Sequence, residues 1–379
     1  MNTIHYSFDT LLLYVTIAFV AAFFIYLSKT GHKYIKRTSK NFPLLLFFLL
    51  LTVFASIRMV SFGGLGGKDS YTYELIFKYS FSGSSRFINY DILFGYFNKL
   101  IRTFTDNVYI YRTICYAIIV YGYVAFIKYV CPENVSALPF ITLMIPYLKS
   151  FNTMRTSIAI SVFLIGLTLL YRKKDLKAAV LILSTMFIHR ISVIFVIFLL
   201  FYYIVGKRLN RKNTYKIIIS SVVLTAICIG CAFFLRDYIL VAEILDSHDM
   251  YYLNRSKSGT FSNIIMLIPT FLLIVVWFMK ANSIIGNRDD KMRFLEILIA
   301  FDCIIVPVAA VFGIWRANEY LYLPRLSLWG VIVFSIAQKF ARNSRSLIYL
   351  LFFIGFSTWL VYRILREWEP NGLMPYIVA

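Results

Sequence analysis

The chain has 379 residues, of which 60% are hydrophobic, and it carries a formal net charge of +21. Its mean hydropathy is +0.74, and apolar runs recur near the length of about 20 residues that a helix needs to cross a bilayer core. This pattern leaves no room for a separate soluble catalytic domain and predicts an all-α polytopic membrane protein with a single membrane domain over 1–379. In such a chain, membrane topology accounts for basic loops, so the charge does not indicate a nucleic-acid partner.

Five basic connecting segments set the predicted topology. They occupy 29–40, 171–177, 206–216, 280–293 and 339–345. Basic loops stay in the cytoplasm, so an even number of crossings must separate each successive pair. Both termini then face outward, and about twelve spans are expected: 10–27, 42–60, 108–128, 135–148, 155–171, 178–188, 191–205, 217–235, 262–280, 294–315, 321–338 and 346–363. The first run lacks the basic start and cleavage site of a signal peptide, so we expect it to remain as a helix.

Two long outer segments, 61–107 and 236–261, are polar enough to be hydrated and aromatic enough to lie on the membrane surface, and we expect them to form a lid. The first contains SFGGLGGKDSYTYE, whose glycines indicate flexible backbone and do not match the dinucleotide-binding pattern. Further along, Asp91 precedes an amphipathic run from Ile92 to Phe104, which predicts a helix lying in the interface. Asp91 is either a functional carboxylate or the cap of that helix.

The apolar run from Ala178 to Val205 contains His189 and Arg190. If this run were one helix, the basic segments on either side of it would lie on opposite faces of the membrane. A hairpin that turns at His189 and Arg190 keeps both segments in the cytoplasm. Its arms are too short to cross the roughly 30 Å hydrocarbon core, so the turn needs water or polar groups around it. We therefore expect short or broken helices around a cavity that opens outward.

Several arginines fall at or just inside the predicted outer ends of helices: Arg58, Arg155, Arg190, Arg316 and Arg325. The planar guanidinium fork grips phosphate oxygens, and burying several guanidiniums without an anion is costly. The set therefore favours a lipid diphosphate as ligand. Alternatively, individual arginines extend to lipid headgroups.

Other polar residues are candidates for proton transfer or sugar contact. Asp69 lies beside Tyr71 and Tyr73, so a carboxylate able to accept a proton from a sugar hydroxyl is next to rings able to stack on sugars. Asp302, in the middle of a predicted span, is either functional or paired with an arginine. Neither the lone CxxC nor the stretch DSHDM at 246–250 fixes a metal geometry, so we expect no metal or other cofactor.

Five short pieces, in their order and spacing, resemble the EpsG family of membrane polysaccharide polymerases, which is related in role to the Wzy O-antigen polymerases. The pieces are Arg58 with the glycine stretch, Asp69, Tyr73 and Phe77; the Asp91 segment; MRTSIAI with Arg155 and Ala159; FIHRIS with His189 and Ser192; and LPRLSLW with Arg325. The resemblance covers most of the chain.

The resemblance implies an enzyme that moves a growing glycan from undecaprenyl pyrophosphate onto an incoming lipid-linked repeat unit. We expect a GT-C-like glycosyltransferase architecture in the bacterial inner (plasma) membrane, with the site facing the periplasm or outside, among membrane lipids. Partners would include a chain-length regulator and a flippase.

Within the expected site, Arg155 and Arg325 are the first choices for neutralising the leaving diphosphate, since no DxD motif suggests a divalent cation. Asp69 or His189 would act as the base, and Arg58, Tyr71, Tyr73, Asp91, Arg190 and Arg316 would contact substrate. The alternatives are an O-antigen ligase, a membrane acyltransferase, a flippase for lipid-linked sugars, or an ion-coupled transporter that uses Asp302.

Overall fold

The structure, a computed structural model, describes residues 8–30, 41–62, 65–82, 91–204, 290–311, 317–373 and 376–378, together with residues 206 and 227. The described residues are helical apart from connections and one isolated bridge between Arg58 and Val378. They fall into two compact units, one within Met1–Ile197 and Val333–Ala379 and the other within Phe198–Ile332. The all-α fold class is confirmed.

The helices follow one another along the chain with short connections wherever the structure describes them. They are α1 Phe8–Thr30, α2 Asn41–Ser56, α3 Ser70–Lys78, α4 Ile92–Phe104, α5 Val108–Tyr129, a 3-10 helix Leu138–Leu143, α6 Met144–Lys149, α7 Met154–Tyr171, α8 Asp175–Ile188, a 3-10 turn Arg190–Ser192, α9 Val193–Ile204, α10 Asp290–Val311, α11 Ala317–Tyr320, α12 Tyr322–Lys339 and α13 Arg342–Asn371.

Among the described helices, α1, α5, α7 and the Arg342–Arg366 part of α13 are long and apolar enough to cross a membrane. Shorter apolar helices cover Asn41–Ser56, Leu138–Lys149 and Val193–Ile204. The protein is therefore a multi-pass membrane protein. The count of twelve spans remains a prediction, because 217–235 and 262–280 lie outside the described residues.

Helix α5 lies at the centre of the first unit, packed against α2 and α7. It approaches α7 closely at Gly122, where an added Cβ would lie 2.7 Å from the Cα atom of Ser161. The Ser161 hydroxyl donates a hydrogen bond to the carbonyl of Ile119 at 2.9 Å. The glycine lets the two helices approach closely, and the serine hydroxyl hydrogen-bonds across the contact. Small and hydroxyl-bearing residues are common where membrane helices cross.

The C-terminal ends of α1, α5 and α7 meet at one end of the first unit. The Lys29 ammonium donates to the carbonyl oxygens of Ile127 and Cys131 at 2.8 and 2.9 Å. The Arg172 guanidinium lies 4.8 Å from the centre of the Tyr129 ring. Lys29 and Arg172 belong to two of the segments predicted to be cytoplasmic, 29–40 and 171–177.

The chain breaks where the sequence predicts it, between α8 and α9. Helix α8 ends at Ile188, His189 is extended at φ −157° and ψ 121°, and Arg190 begins a 3-10 turn. After the turn, the Phe195 ring stacks on Phe163 of α7 with centroids 3.9 Å apart. At 1.5 Å per residue, 14 and 12 residues make α8 and α9 about 21 and 18 Å long, shorter than the bilayer core. The predicted break is confirmed.

Candidate functional site

One carboxylate in the first unit is surrounded by basic side chains from two other parts of the chain. Asp91 Oδ2 lies 3.1 Å from Arg155 Nη1 and 3.5 Å from His189 Nδ1. Asp91 Oδ1 lies 3.5 Å from Arg190 Nε. We call these four residues the Asp91 cluster. Within it, the sequence candidates Asp91, Arg155, His189 and Arg190 come together.

Asp91 immediately precedes α4, yet its side chain makes no capping hydrogen bond to that helix. The carboxylate points instead to the basic groups, so of the two alternatives for Asp91 the one in which it only caps α4 is wrong. The helix is anchored by a buried face that includes Phe94 and Ile101, and the Phe94 ring meets Tyr73 of α3 edge-on, with centroids 6.0 Å apart. This packing fixes the point at which Asp91 enters the cluster.

The three basic residues are delivered by the ends of two helices. Arg155 is the second residue of α7, so it stands at the end opposite to Arg172. His189 and Arg190 occupy the break after α8, which packs along α7. Without that break, the two side chains would continue a helical spiral and point to different sides. The break therefore places both of them against Asp91.

Exposure divides the cluster into a buried part and an open part. The side chains of Asp91 and His189 are 4% and 6% exposed, whereas Arg155 is 18% and Arg190 is 79% exposed. Two guanidiniums face one carboxylate, so the cluster keeps excess positive charge even when His189 is neutral. Such an arrangement can accept a further anion from the side of Arg190.

Arg58, by contrast, is a core residue. Its Nε donates to the Gly66 carbonyl at 2.8 Å, its Nη1 donates to the Ala55 carbonyl, and its Nη2 donates to Ser70 and Tyr116 at 3.0 and 3.1 Å. The guanidinium also lies 4.1 Å from the centre of the Phe151 ring. From the sequence we expect Arg58 to contact the substrate. In the structure its N–H donors bind groups of the protein itself, and the residue is 1% exposed.

Two residues of the glycine stretch, Gly66 and Gly67, pack closely against neighbouring backbone, and we call the segment 65–69 the glycine loop. Gly66 and Gly67 have φ of +73° and +115°, which glycine adopts readily and other residues avoid. A Cβ atom on Gly67 would lie 2.5 Å from the Phe151 carbonyl oxygen. The exposed Asp69 follows, and its backbone N–H donates to Asn152 Oδ1 at 2.6 Å. The loop is thereby attached to the segment that leads into Arg155.

The two tyrosines near Asp69 differ in exposure. Tyr73 is buried against Phe94, so its ring is part of the packing and is not presented to a sugar. Tyr71 is half-buried, and its ring meets Phe62 edge-on with centroids 5.7 Å apart. Of the two, Tyr71 remains a candidate for sugar contact.

Two arginine candidates remain, Arg325 and Arg316. Arg325 belongs to the second unit, where it pairs with Asp302. Arg316 lies outside the described residues, as do the second outer segment 236–261 and the DSHDM stretch. The sequence predicts that five guanidiniums meet. Within the part of the chain that the structure describes, Arg155 and Arg190 come together at Asp91.

Sequence reasoning missed another buried ion pair, between Glu74 of α3 and Arg112 of α5. Glu74 Oε1 lies 3.4 Å from Arg112 Nε, with side chains 8% and 4% exposed. Burial raises the pKa of Glu74 above its ordinary value of 4.5, and Arg112, Arg58 and Lys78 oppose that shift. Arg112 also donates to the Arg58 carbonyl. An arginine about one turn into a predicted span was the signal that could have identified this pair.

These features define a multi-pass membrane protein with a cluster of basic side chains around Asp91, at the helix ends opposite Lys29 and Arg172. The EpsG family model matches residues 41–378, which include every member of the Asp91 cluster. The chain belongs to the EpsG family, the family of Wzy-type polysaccharide polymerases. Comparisons with curated proteins and with solved structures found no significant match.

Proposed function

We propose that the protein polymerises undecaprenyl-pyrophosphate-linked oligosaccharide repeat units into a surface polysaccharide. The observation that carries the proposal is the Asp91 cluster, in which Arg155 and Arg190 face one carboxylate at the ends of helices in an EpsG-family chain. We further propose a GT-C-like architecture of about twelve spans in the bacterial inner membrane. Its partners would be a chain-length regulator and a flippase.

The orientation of the first unit supports a site on the outer face. Lys29 and Arg172 mark the basic end, where cytoplasmic loops are expected. Arg155 lies at the start of α7 and His189 at the end of α8, and both are therefore far along these helices from Arg172. Repeat units delivered to the outer leaflet would therefore meet the cluster from the periplasm.

The proposed reaction breaks the bond between the anomeric carbon of the growing chain and its diphosphate. A new bond joins that carbon to a hydroxyl oxygen of the incoming unit, and the hydroxyl proton passes to a base. Arg155 and Arg190 would stabilise the negative charge that develops on the departing diphosphate, because guanidinium N–H groups donate to phosphate oxygens in a fixed fork.

His189 is the favoured base. Asp91 faces its Nδ1 atom at 3.5 Å, which favours a proton on Nδ1 and leaves Nε2 to accept the proton from the acceptor hydroxyl. Asp69 is the alternative base, since its carboxylate is exposed to solvent beside Tyr71. If His189 is the base, Asp69→Asn should keep the pH dependence of wild-type turnover; if Asp69 is the base, Asp69→Asn should form no polymer.

The test is turnover of purified lipid-linked repeat unit by the purified protein. Arg155→Gln and His189→Ala should retain membrane insertion but form no polymer. The matched control is Arg172→Gln, which removes a guanidinium from the other end of α7 and should polymerise normally. Normal chain length in both cluster variants would reject the proposal. A glycan transferred to lipid A, with no polymer, would identify a ligase instead.

A further inference from the structure

Asp91 occupies the position that an anionic ligand of the cluster would take. Its two carboxylate oxygens are shared among Arg155, His189 and Arg190, which are the groups most suited to a phosphate. The carboxylate is buried, while Arg190 is largely exposed. A charge that belongs to the protein itself therefore partly occupies the place that the arginines offer to an anion.

We propose that Asp91 is an internal counter-ion, and that the diphosphate of the lipid-linked donor displaces it from Arg155 and Arg190. This inference rests on the proposed function and adds a step to donor binding. A diphosphate offers more oxygen acceptors and more negative charge than one carboxylate, so it competes for the same guanidinium donors. Arg190 turns to the ligand first, because its side chain is exposed and its contact with Asp91 is long.

The displacement has a consequence for the base. In the described state the Asp91 charge is divided between two arginines and His189. Once the arginines bind diphosphate, the carboxylate is left facing His189, where its negative charge favours an imidazole that accepts a proton. Donor binding and base activation are in this way coupled through one side chain.

Binding of three probes tests the proposal: undecaprenyl pyrophosphate, inorganic pyrophosphate and inorganic phosphate, each added to the purified full chain in detergent. Removal of the competing charge in Asp91→Asn should tighten binding of undecaprenyl pyrophosphate about fivefold or more, because an occupied site lowers apparent affinity by the fraction that is closed. Asp91→Glu keeps the charge, so it should not show this gain in affinity.

The matched control is Asp106→Asn. Asp106 is an exposed aspartate just after α4 that pairs with Arg102, so its loss should leave diphosphate affinity unchanged. Weaker or equal binding by Asp91→Asn would overturn the proposal and would mean that Asp91 only positions its neighbours. A gain seen with inorganic phosphate or pyrophosphate but not with the lipid would overturn the assignment of a lipid donor.

A second neutral variant, Asp91→Ser, keeps the test independent of whether Asp91→Asn folds. It also removes the competing charge, so it should bind undecaprenyl pyrophosphate more tightly than the wild type. Equal or weaker binding by folded Asp91→Ser would reject displacement. If the wild type bound none of the probes, the proposed function would fail as well. If the wild type bound and polymerised but Asp91→Asn gained no affinity, this inference alone would fail.

Discussion

Asp302 Oδ2 accepts a hydrogen bond from Arg325 Nε at 2.5 Å, and Asp302 Oδ1 accepts one from Arg325 Nη2 at 2.7 Å. The two side chains are 1% and 7% exposed. Of the two expectations for Asp302, pairing with an arginine is therefore confirmed. Two parallel bonds between a carboxylate and a guanidinium fix the geometry of both groups, so the pair links α10 to α12 within the second unit.

Breaking this pair should destabilise the protein. Arg325→Gln leaves a buried carboxylate without its cation, which costs about 3–5 kcal/mol, and the thermal midpoint in detergent should fall accordingly. The double variant Asp302→Leu with Arg325→Met should recover most of the loss, because it removes both buried charges. If Arg325→Gln instead lost activity at an unchanged midpoint, Arg325 would be acting on the substrate.

Alanine at Gly66 or Gly67 should prevent the glycine loop from docking. At Gly66 an added Cβ would lie 2.1 Å from the Met59 carbonyl oxygen, and both positions have a positive φ. Strained backbone of this kind costs about 1–3 kcal/mol per residue before the clash is counted. The yield of folded protein after gel filtration measures the effect.

Gly95 is the matched control, since it lies within α4 and an added Cβ would have nothing within 4 Å. Gly95→Ala should stabilise the protein by about 0.5–1 kcal/mol, as expected for a glycine in a helix. If Gly66→Ala and Gly95→Ala behaved alike, the docked conformation of the loop would be wrong.

The helix break and the basic members of the Asp91 cluster were predictable from sequence. The charge rule alone requires a turn near His189, and the resemblance points to Arg155 and His189. These inferences succeed because they depend on local composition and on the high cost of charge in a bilayer.

The roles of Arg58 and Asp91 were not predictable in the same way. Arg58 and Arg155 are the same residue type at the same predicted depth, yet Arg58 is bound by Gly66, Ser70 and Tyr116, which tertiary folding brings together. Asp91 looks like a helix cap until its partners on α7 and after α8 are placed. In both cases the answer depends on contacts between residues far apart in sequence.

The stability of the protein should depend on pH through Glu74 and its partner Arg112. The folded-state pKa of Glu74 is raised above its ordinary value of 4.5, so its contribution is fully present below that value and is lost as pH rises through the folded pKa. Arg112→Gln removes a group that lowers this pKa, so the loss should become steeper. Thermal midpoints between pH 4 and pH 8 should therefore fall more with rising pH in Arg112→Gln than in the wild type.

Glu74→Gln should flatten the same profile, because a neutral amide does not titrate. The control is Arg102→Gln, whose partner Asp106 is 80% exposed, and its profile should follow that of the wild type. A wild-type midpoint that rose with pH relative to Glu74→Gln would show that attraction to Arg112 outweighs burial of the carboxyl group.

Lys29 should contribute to stability through its hydrogen bonds. Its buried ammonium donates to the Ile127 and Cys131 carbonyls, where the end of α5 leaves acceptors unsatisfied and the helix dipole favours a cation. Lys29→Met should cost about 1–3 kcal/mol, because those carbonyls lose a charged donor.

The control is Lys128→Met, which removes an exposed cation beside Tyr129 and should cost less than about 0.5 kcal/mol. Reporter fusions should give the same orientation for both variants, since the neighbouring connections stay basic. Equal midpoints in the two variants would mean that Lys29 acts only through its charge at the membrane surface.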